Sequence, residues 1–289
     1  MGPCEGCLTA MVTPFHADGS VNEESAVALG RHLLANGSHG LVACGTTGEA
    51  ATLTDDEQIG LIELLASELG GEGTIVAGAG SNDTRHAVHL TERAVEAGVD
   101  AVLSVTPYYN KPNRRGIVRH FEEVARAAGG TPVILYNIPG RTATNMPPDL
   151  LAELAQIEGI EAVKQANPDE LQPIDGLALL AGNDFDLARC LDMGGQGGIL
   201  VSSHVVGNEM RRIYDEPENR AEIDASIRDV YETLFLTASP IPTKAALNML
   251  GHDVGGLRLP LVEADDDERA QVRAMLERHG LLEKKVATA

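Results

Sequence analysis

A lysine that closes an apolar run is the residue in this sequence with the most chemistry to offer. Lys164 ends the stretch Ile160-Glu161-Ala162-Val163-Lys164, where an ammonium ion is expensive to bury without a partner. Two readings are open: a side chain that snorkels to solvent from a strand end, or an amine whose pKa falls on desolvation. In the second, the neutral form attacks a ketone and forms a Schiff base. Tyrosines add acid–base groups. Aromatic residues make up 3% of the chain and tryptophan is absent, yet three of the five tyrosines, Tyr108, Tyr109 and Tyr136, fall at the ends of apolar runs. A buried phenol needs a hydrogen-bond partner, so this placement favours proton transfer or polar contact over packing. Gly45-Thr46-Thr47-Gly48 offers hydroxyls and backbone N–H groups that suit a carboxylate cradle or an ordinary glycine turn. Arg141, after Pro139-Gly140, carries a planar fork that suits a second carboxylate. The set specifies an amine nucleophile, hydroxyl acid–base groups and two anion cradles, with no phosphate loop, which fits acidic keto substrates.

These residues need a scaffold that gathers separate strand ends. Short apolar runs at 7–12, 40–44, 74–79, 101–105, 132–136, 160–164, 177–181 and 198–202 alternate with longer amphipathic stretches. The runs are nearly continuous in Val, Ile, Leu and Ala, the pattern of strands buried on both faces. Eight such strands close a parallel barrel. The expected fold class is therefore α/β, a (β/α)8 TIM barrel over residues 1–204 with a C-terminal helical extension over 205–289. The extension is expected to break at Pro217, Pro240, Pro242 and Gly255-Gly256. Residues 23–36 place Ala26, Leu29, Leu33 and Leu34 at helical spacing. Thr54 with Glu57 reads as a capping box, and the acidic run 265–268 as a solvated helix start. Active sites of this architecture form at the C-terminal ends of the strands, and Thr46, Tyr109, Tyr136, Arg141 and Lys164 all fall there.

Charge narrows the partners. The 289 residues carry 22 Lys+Arg against 43 Asp+Glu, a formal net charge of -21, which argues against nucleic acid and anionic membrane. A 43% hydrophobic content supports a sizeable core, and 31 Gly with 14 Pro leave no low-complexity bias. With no apolar run of about eighteen residues and no signal-peptide order at the N-terminus, a cytoplasmic protein is expected. Four cysteines make no disulfide framework. Cys4 and Cys7 form a C-x-x-C without a second pair or neighbouring histidine and read as spectator thiols near a frayed terminus. His86 and His89 lack the Glu and the spacing of a zinc-binding helix. No metal is expected.

Six motifs, taken together, resemble a known family. They are Gly45-Thr46-Thr47-Gly48-Glu49, Thr106-Pro107-Tyr108-Tyr109-Asn110-Lys111-Pro112, Tyr136-Asn137-Ile138-Pro139-Gly140-Arg141-Thr142, the strand-ending Lys164, Ser239-Pro240-Ile241-Pro242-Thr243-Lys244 and Arg258-Leu259-Pro260-Leu261. In this order and spacing they closely resemble the dihydrodipicolinate synthase (4-hydroxy-tetrahydrodipicolinate synthase) family. That family belongs to the pyruvate-dependent class I aldolases, which include N-acetylneuraminate lyase. The resemblance covers nearly the whole chain. It implies condensation of pyruvate with aspartate semialdehyde, on the route to diaminopimelate and lysine. No cofactor is implied, because Lys164 itself would hold pyruvate as an imine. Tyr136 would relay protons with Thr46 and Tyr109, the last reaching the site of a neighbouring subunit. Thr47 would bind the pyruvate carboxylate and Arg141 that of the semialdehyde. Gly182 and Ile199 would line the pyruvate pocket, with the Ile199 carbonyl facing the reacting centre. A homotetramer built as a dimer of dimers is the implied assembly.

The sequence also departs from the family pattern. Only 17 residues separate Lys164 from Gly182, so the helix between strands six and seven is expected to be trimmed to 168–173. Lysine-sensitive relatives carry histidines and a Glu where this chain has Asp55, Gln58 and His86, although Asn82 and Tyr108 match. Weak or absent inhibition by lysine is expected. Rival readings are a 2-keto-3-deoxy sugar acid aldolase or N-acetylneuraminate lyase, whose aldehydes are polyhydroxylated, and a catalytically silent metabolite-binding barrel. Arg141 favours a substrate that brings its own carboxylate, and the complete set Thr46, Tyr109, Tyr136 and Lys164 exceeds what a sensor needs.

Overall fold

In a computed structural model, which describes residues 2–282, the apolar runs become β1 (Gly6–Ala10), β2 (Gly40–Ala43), β3 (Thr74–Gly78), β4 (Ala101–Val105), β5 (Val133–Asn137), β6 (Ile160–Gln165), β7 (Ala178–Ala181) and β8 (Gly197–Leu200). They pair in parallel and in sequence order, and β8 pairs back onto β1 with Ile199 opposite Leu8. The result is a closed (β/α)8 barrel. Its bore is packed with side chains such as Leu8, Val42, Leu103, Ile134, Leu180 and Ile199, so the only room for a ligand lies at an end. β5 and β6 each run one residue past the apolar stretch. Asn137 and Gln165 extend them because their buried amides satisfy each other, Asn137 Nδ2 donating to Gln165 Oε1 at 3.1 Å.

Helices α1 (Glu23–Ala35), α2 (Asp55–Leu69), α3 (Thr84–Glu96) and α4 (Arg114–Ala128) cover the first half of the barrel. Asn22 caps α1 by accepting from the Ser25 N–H, and Thr54 and Glu57 form the expected capping box on α2. Short helices α5 (Pro139–Thr142) and α6 (Pro148–Leu154) follow β5, α7 (Leu187–Asp192) follows β7 and α8 (Ser203–Asp215) follows β8. Between β6 and β7 the trimmed helix is shorter than expected. Only a single 3-10 turn forms, Pro168–Glu170, because Pro173 has no N–H to donate and disfavours helical backbone in the residue before it. Leu171 fills the gap, 3% exposed in the core.

The C-terminal helices are α9 (Arg220–Ser226), α10 (Arg228–Leu234), α11 (Ile241–Met249) and α12 (Asp266–Arg278). Residue 205 lies inside α8, which starts directly after β8 and packs on β1. Pro242 is no break: it occupies the first turn of α11, where a missing N–H costs nothing. Asp265 caps α12 with a capping box to Glu268, so the acidic run is a helix start, as expected. The terminus is not frayed at the thiols. Cys7 lies in β1 with no exposure and Cys4 is 8% exposed. All four cysteines are free, and burial pushes each thiol up to about 12, far from a reactive thiolate.

Two buried histidines set an acid limit. His204 Nε2 accepts the Val12 N–H at 3.2 Å and Nδ1 donates to Val201 O at 2.8 Å, so the ring is neutral and ties β1 to β8. Burial lowers its pKa from 6.5 to about 4, and does the same for His120, which bonds Thr84 Oγ1 at 3.0 Å. Between those pH values the unfolded chain binds more protons than the folded one, so stability falls as pH falls. The thermal unfolding midpoint should begin to drop below pH 6.5, well above the pH of about 4 where ordinary carboxylates titrate. A midpoint constant down to about pH 5 would contradict this assignment.

Candidate active site

The C-terminal rim of the barrel is where the backbone is strained. Among the described residues, the non-glycine positions with positive φ are Cys44 (53°) and Glu49 (56°) after β2, Tyr109 (71°) and Lys111 (49°) after β4, and Ala143 (53°) after β5. All five belong to three neighbouring rim loops. Left-handed backbone is unfavourable for such residues and persists only where the surroundings over-determine it, which is common around binding sites.

These loops surround a cavity of about 400 Å³ lined by Thr46, Tyr136 and Arg141, together with Tyr108, Ser81 and His86. The register of β5 on β6 sets the cavity-lining Tyr136 directly beside Lys164. The Lys164 Nζ stands 4.2 Å from the centroid of the Tyr136 ring, and the two side chains are only 6% and 5% exposed. Among the described residues no carboxylate lies within ion-pair distance of this amine. The other buried lysine among the described residues, Lys244 on α11, is paired with Glu49 at 2.7 Å. Nor do the side-chain tips of Thr46, Thr47, Tyr136 and Arg141 hydrogen-bond to any other described protein group. Polar groups held together and left unsatisfied by the protein are groups that a ligand can satisfy.

The structure thus gathers Tyr136, Thr46 and Arg141 around the cavity, with Lys164 against the Tyr136 ring and Thr47 buried next to Thr46. Gly182 follows β7 and donates to Gln165 O at 2.8 Å. A Cβ there would sit 2.8 Å from the Gln165 carbonyl, so only glycine lets β7 end so close to the lysine-bearing strand. Ile199 packs inside the barrel, 1% exposed. Tyr109 is the exception. Its ring is 87% exposed and lies outside the cavity, so the hydrogen-bonded chain from Thr46 through Tyr136 to Tyr109 does not form within one subunit. The loop that carries it is nevertheless pinned: Asn82 Nδ2 donates to Tyr108 O at 3.1 Å and Asn110 Nδ2 to Asn82 O at 2.8 Å.

Reading the sequence missed Asp184. Its carboxylate, 1% exposed, accepts the Val201 N–H at 3.1 Å and the Ser202 N–H at 2.6 Å, clamping the ends of β7 and β8 together. Burial pushes its carboxyl above the ordinary range, opposed by those N–H groups and by the nearby Lys164 amine. The local signal was a polar Asn183-Asp184 pair directly after an apolar run. Among the described residues no group of three or more His, Cys, Asp and Glu side chains is arranged to hold a metal ion.

The sequence profile of the dihydrodipicolinate synthetase family matches residues 3–279. A 4-hydroxy-tetrahydrodipicolinate synthase of Thermosynechococcus vestitus is 40% identical over 287 residues, covering 95% of this chain and 97% of the relative. A crystal structure of the dihydrodipicolinate synthase of Cyanidioschyzon merolae with lysine bound superimposes with a TM-score of 0.94, at 38% identity, over 98% of this chain and 100% of that one. The chloride-inhibited dihydrodipicolinate synthase of Acinetobacter baumannii, complexed with pyruvate, does so with a TM-score of 0.93 at 32% identity, over 96% and 100%.

The Asp184 clamp makes a stability prediction. Asp184→Ala leaves two buried N–H groups without an acceptor and should lower the unfolding free energy by about 2–4 kcal/mol in urea titrations. A change below about 0.5 kcal/mol would show that the clamp carries little of the fold.

Proposed function

This chain belongs to the dihydrodipicolinate synthetase family, and on that premise we propose that it condenses pyruvate with L-aspartate 4-semialdehyde to 4-hydroxy-tetrahydrodipicolinate, on the route to diaminopimelate and lysine. The observation that carries this reading is the buried Lys164 amine, without an ion-pair partner among the described residues, stacked on Tyr136, which lines the cavity. The Nζ lone pair adds to C2 of pyruvate, and loss of water leaves an imine. That imine is an electron sink, so the methyl group gives up a proton and becomes an enamine without any added cofactor or metal. The enamine carbon attacks the aldehyde carbon of the second substrate, and the new alkoxide takes a proton. The amino group of the semialdehyde then attacks C2, closes the ring and releases Lys164.

The other side chains have roles that follow from their positions. Tyr136, whose ring lies against the amine, carries protons at C2 and at the new alcohol. Thr47 cradles the pyruvate carboxylate, and Thr46 passes protons toward solvent. Arg141, exposed at the rim without an ion-pair partner among the described residues, receives the carboxylate of the semialdehyde. That charge match is why we prefer the semialdehyde over the neutral sugar aldehydes of related aldolases. Gly182 and Ile199 shape the pyruvate pocket. Tyr109 completes the proton path only in a partner's site, so activity requires at least a dimer, and a tetramer built from two such dimers is the proposed assembly. The reaction is assigned to the cytoplasm, where the four free cysteines stay reduced.

Lysine should inhibit weakly or not at all. Among the described residues, Asp55 is the one acidic residue lining the cavity, and His86 Nε2 already holds it at 2.9 Å. An incoming ammonium group finds no free carboxylate there.

Incubation with pyruvate and borohydride should add a reduced pyruvyl group to Lys164 and nowhere else, and none in Lys164→Ala. An adduct elsewhere would remove Lys164 from its role. Tyr136→Phe should lose at least about 100-fold in kcat. Arg141→Met should raise KM for the semialdehyde about tenfold or more while leaving KM for pyruvate nearly unchanged. Half-inhibition by submillimolar lysine would contradict the reading of Asp55 as already paired.

A further inference from the structure

The C-terminal extension reaches the rim through charged side chains that the proposed reaction does not use. Lys244, on α11, and Glu49, which ends the Thr46-Thr47 loop, are each 1% exposed at the side chain. Lys244 Nζ lies 2.7 Å from Glu49 Oε1, off the line of a hydrogen bond, and donates to Gly256 O at 2.7 Å. Glu49 Oε2 accepts the Arg258 N–H at 3.1 Å. The Arg258 guanidinium in turn bonds Glu57 and the carbonyls of Gly19 and Thr52, and holds the Glu57 carboxyl down to about 2. Phe15 contacts both cations, its ring centroid 4.2 Å from Lys244 Nζ and 4.5 Å from the guanidinium carbon. Burial pulls the Lys244 pKa down and Glu49 opposes that pull. The two motifs around Lys244 and Arg258, which no step of the chemistry absorbs, thus converge on one carboxylate.

That carboxylate is joined to the substrate loop by backbone alone. The Glu49 N–H donates to Thr46 O at 3.1 Å, and the Ala50 N–H to Gly45 O at 3.3 Å. The Thr13 hydroxyl donates to Gly48 O at 2.6 Å. Glu49 holds a left-handed backbone, φ 56°, which relaxes if its side chain is released. Any such relaxation moves Thr46 and Thr47. Lys164 and Tyr136 stand on β6 and β5 and belong to no part of this turn.

We propose that Glu49 and Lys244 are positioning residues that set the Thr46-Thr47 loop for the carboxylate of pyruvate, so that affinity for this substrate is fixed from the C-terminal extension. This rests on the reading of Thr47 as the pyruvate cradle. The two charges act as a unit, because removing one strands the other without compensation in the interior.

The test is steady-state kinetics on the double variant Glu49→Gln/Lys244→Met, which leaves no lone buried charge. KM for pyruvate should rise about tenfold while KM for the semialdehyde changes less than about twofold and kcat at saturating pyruvate less than about threefold. Lys244→Met alone should do at least as much damage as the double variant. Equal rises in both KM values, or a fall in kcat with KM for pyruvate unchanged, would overturn the proposal and make the pair a general scaffold element. If the double variant does not fold, Arg258→Gln, at a partly exposed side chain, replaces it and should raise KM for pyruvate alone, about threefold. No rise there overturns the proposal equally. Thr47→Val separates the two levels of the argument. If it leaves KM for pyruvate unchanged, the cradle itself is wrong. If it raises KM while the Glu49 and Lys244 variants do not, only the positioning role fails.

Discussion

An amine kept out of water with no counter-ion is the constraint around which the rest of this molecule is arranged. Burial without a partner is unfavourable for an ammonium ion, and proteins normally escape it by pairing the charge. Lys244 escapes in that way, through Glu49 at 2.7 Å. Lys164 does not; its nearest organised neighbour is the face of Tyr136 at 4.2 Å. The difference between these two buried lysines is the difference between a group that holds the fold and a group that the fold holds ready. In solution chemistry a lysine is a poor nucleophile partly because it is hydrated, and burial against the Tyr136 ring removes that obstacle.

Keeping such a group in place requires rigid surroundings that do not themselves supply a charge. Neutral or backbone-satisfied polar groups do this work. Asn137 and Gln165 bond to each other at the ends of β5 and β6, next to Tyr136 and Lys164 in the register. Asp184 spends its carboxylate on the N–H groups of Val201 and Ser202. The left-handed residues at the rim store local strain in the loops after β2, β4 and β5. A barrel delivers all of this cheaply, since eight strand ends from distant parts of the chain meet at one face.

Much of this was legible in the residues. Eight continuous apolar runs have few uses other than a closed parallel sheet, and a lysine ending one of them is out of place unless it has a task. The loops after β2, β4 and β5 announced themselves by Thr, Tyr and Arg where packing would prefer Leu. What could not be read were relations that exist only on closure. Asp184 and Ser202 are 18 residues apart and meet because β7 and β8 are neighbours. Nothing local marks Glu49 as the partner of Lys244, 195 positions on. Tyr109 looked like a site residue, and its ring faces solvent, because residue type and spacing do not say which way a loop side chain points. Pro242 looked like a helix end and is a helix start, since the same missing N–H suits both.

The central claim is that Lys164 bonds covalently to a three-carbon keto acid. Carbon-13 NMR of pyruvate labelled at C2, mixed with a stoichiometric amount of the protein at neutral pH, tests it without any second substrate or trapping reagent. The ketone resonance should give way to a protein-bound imine carbon in the wild type and persist unchanged with Lys164→Ala. A ketone signal unaltered by the wild-type protein at saturating concentration, or an imine that survives the substitution, would contradict it.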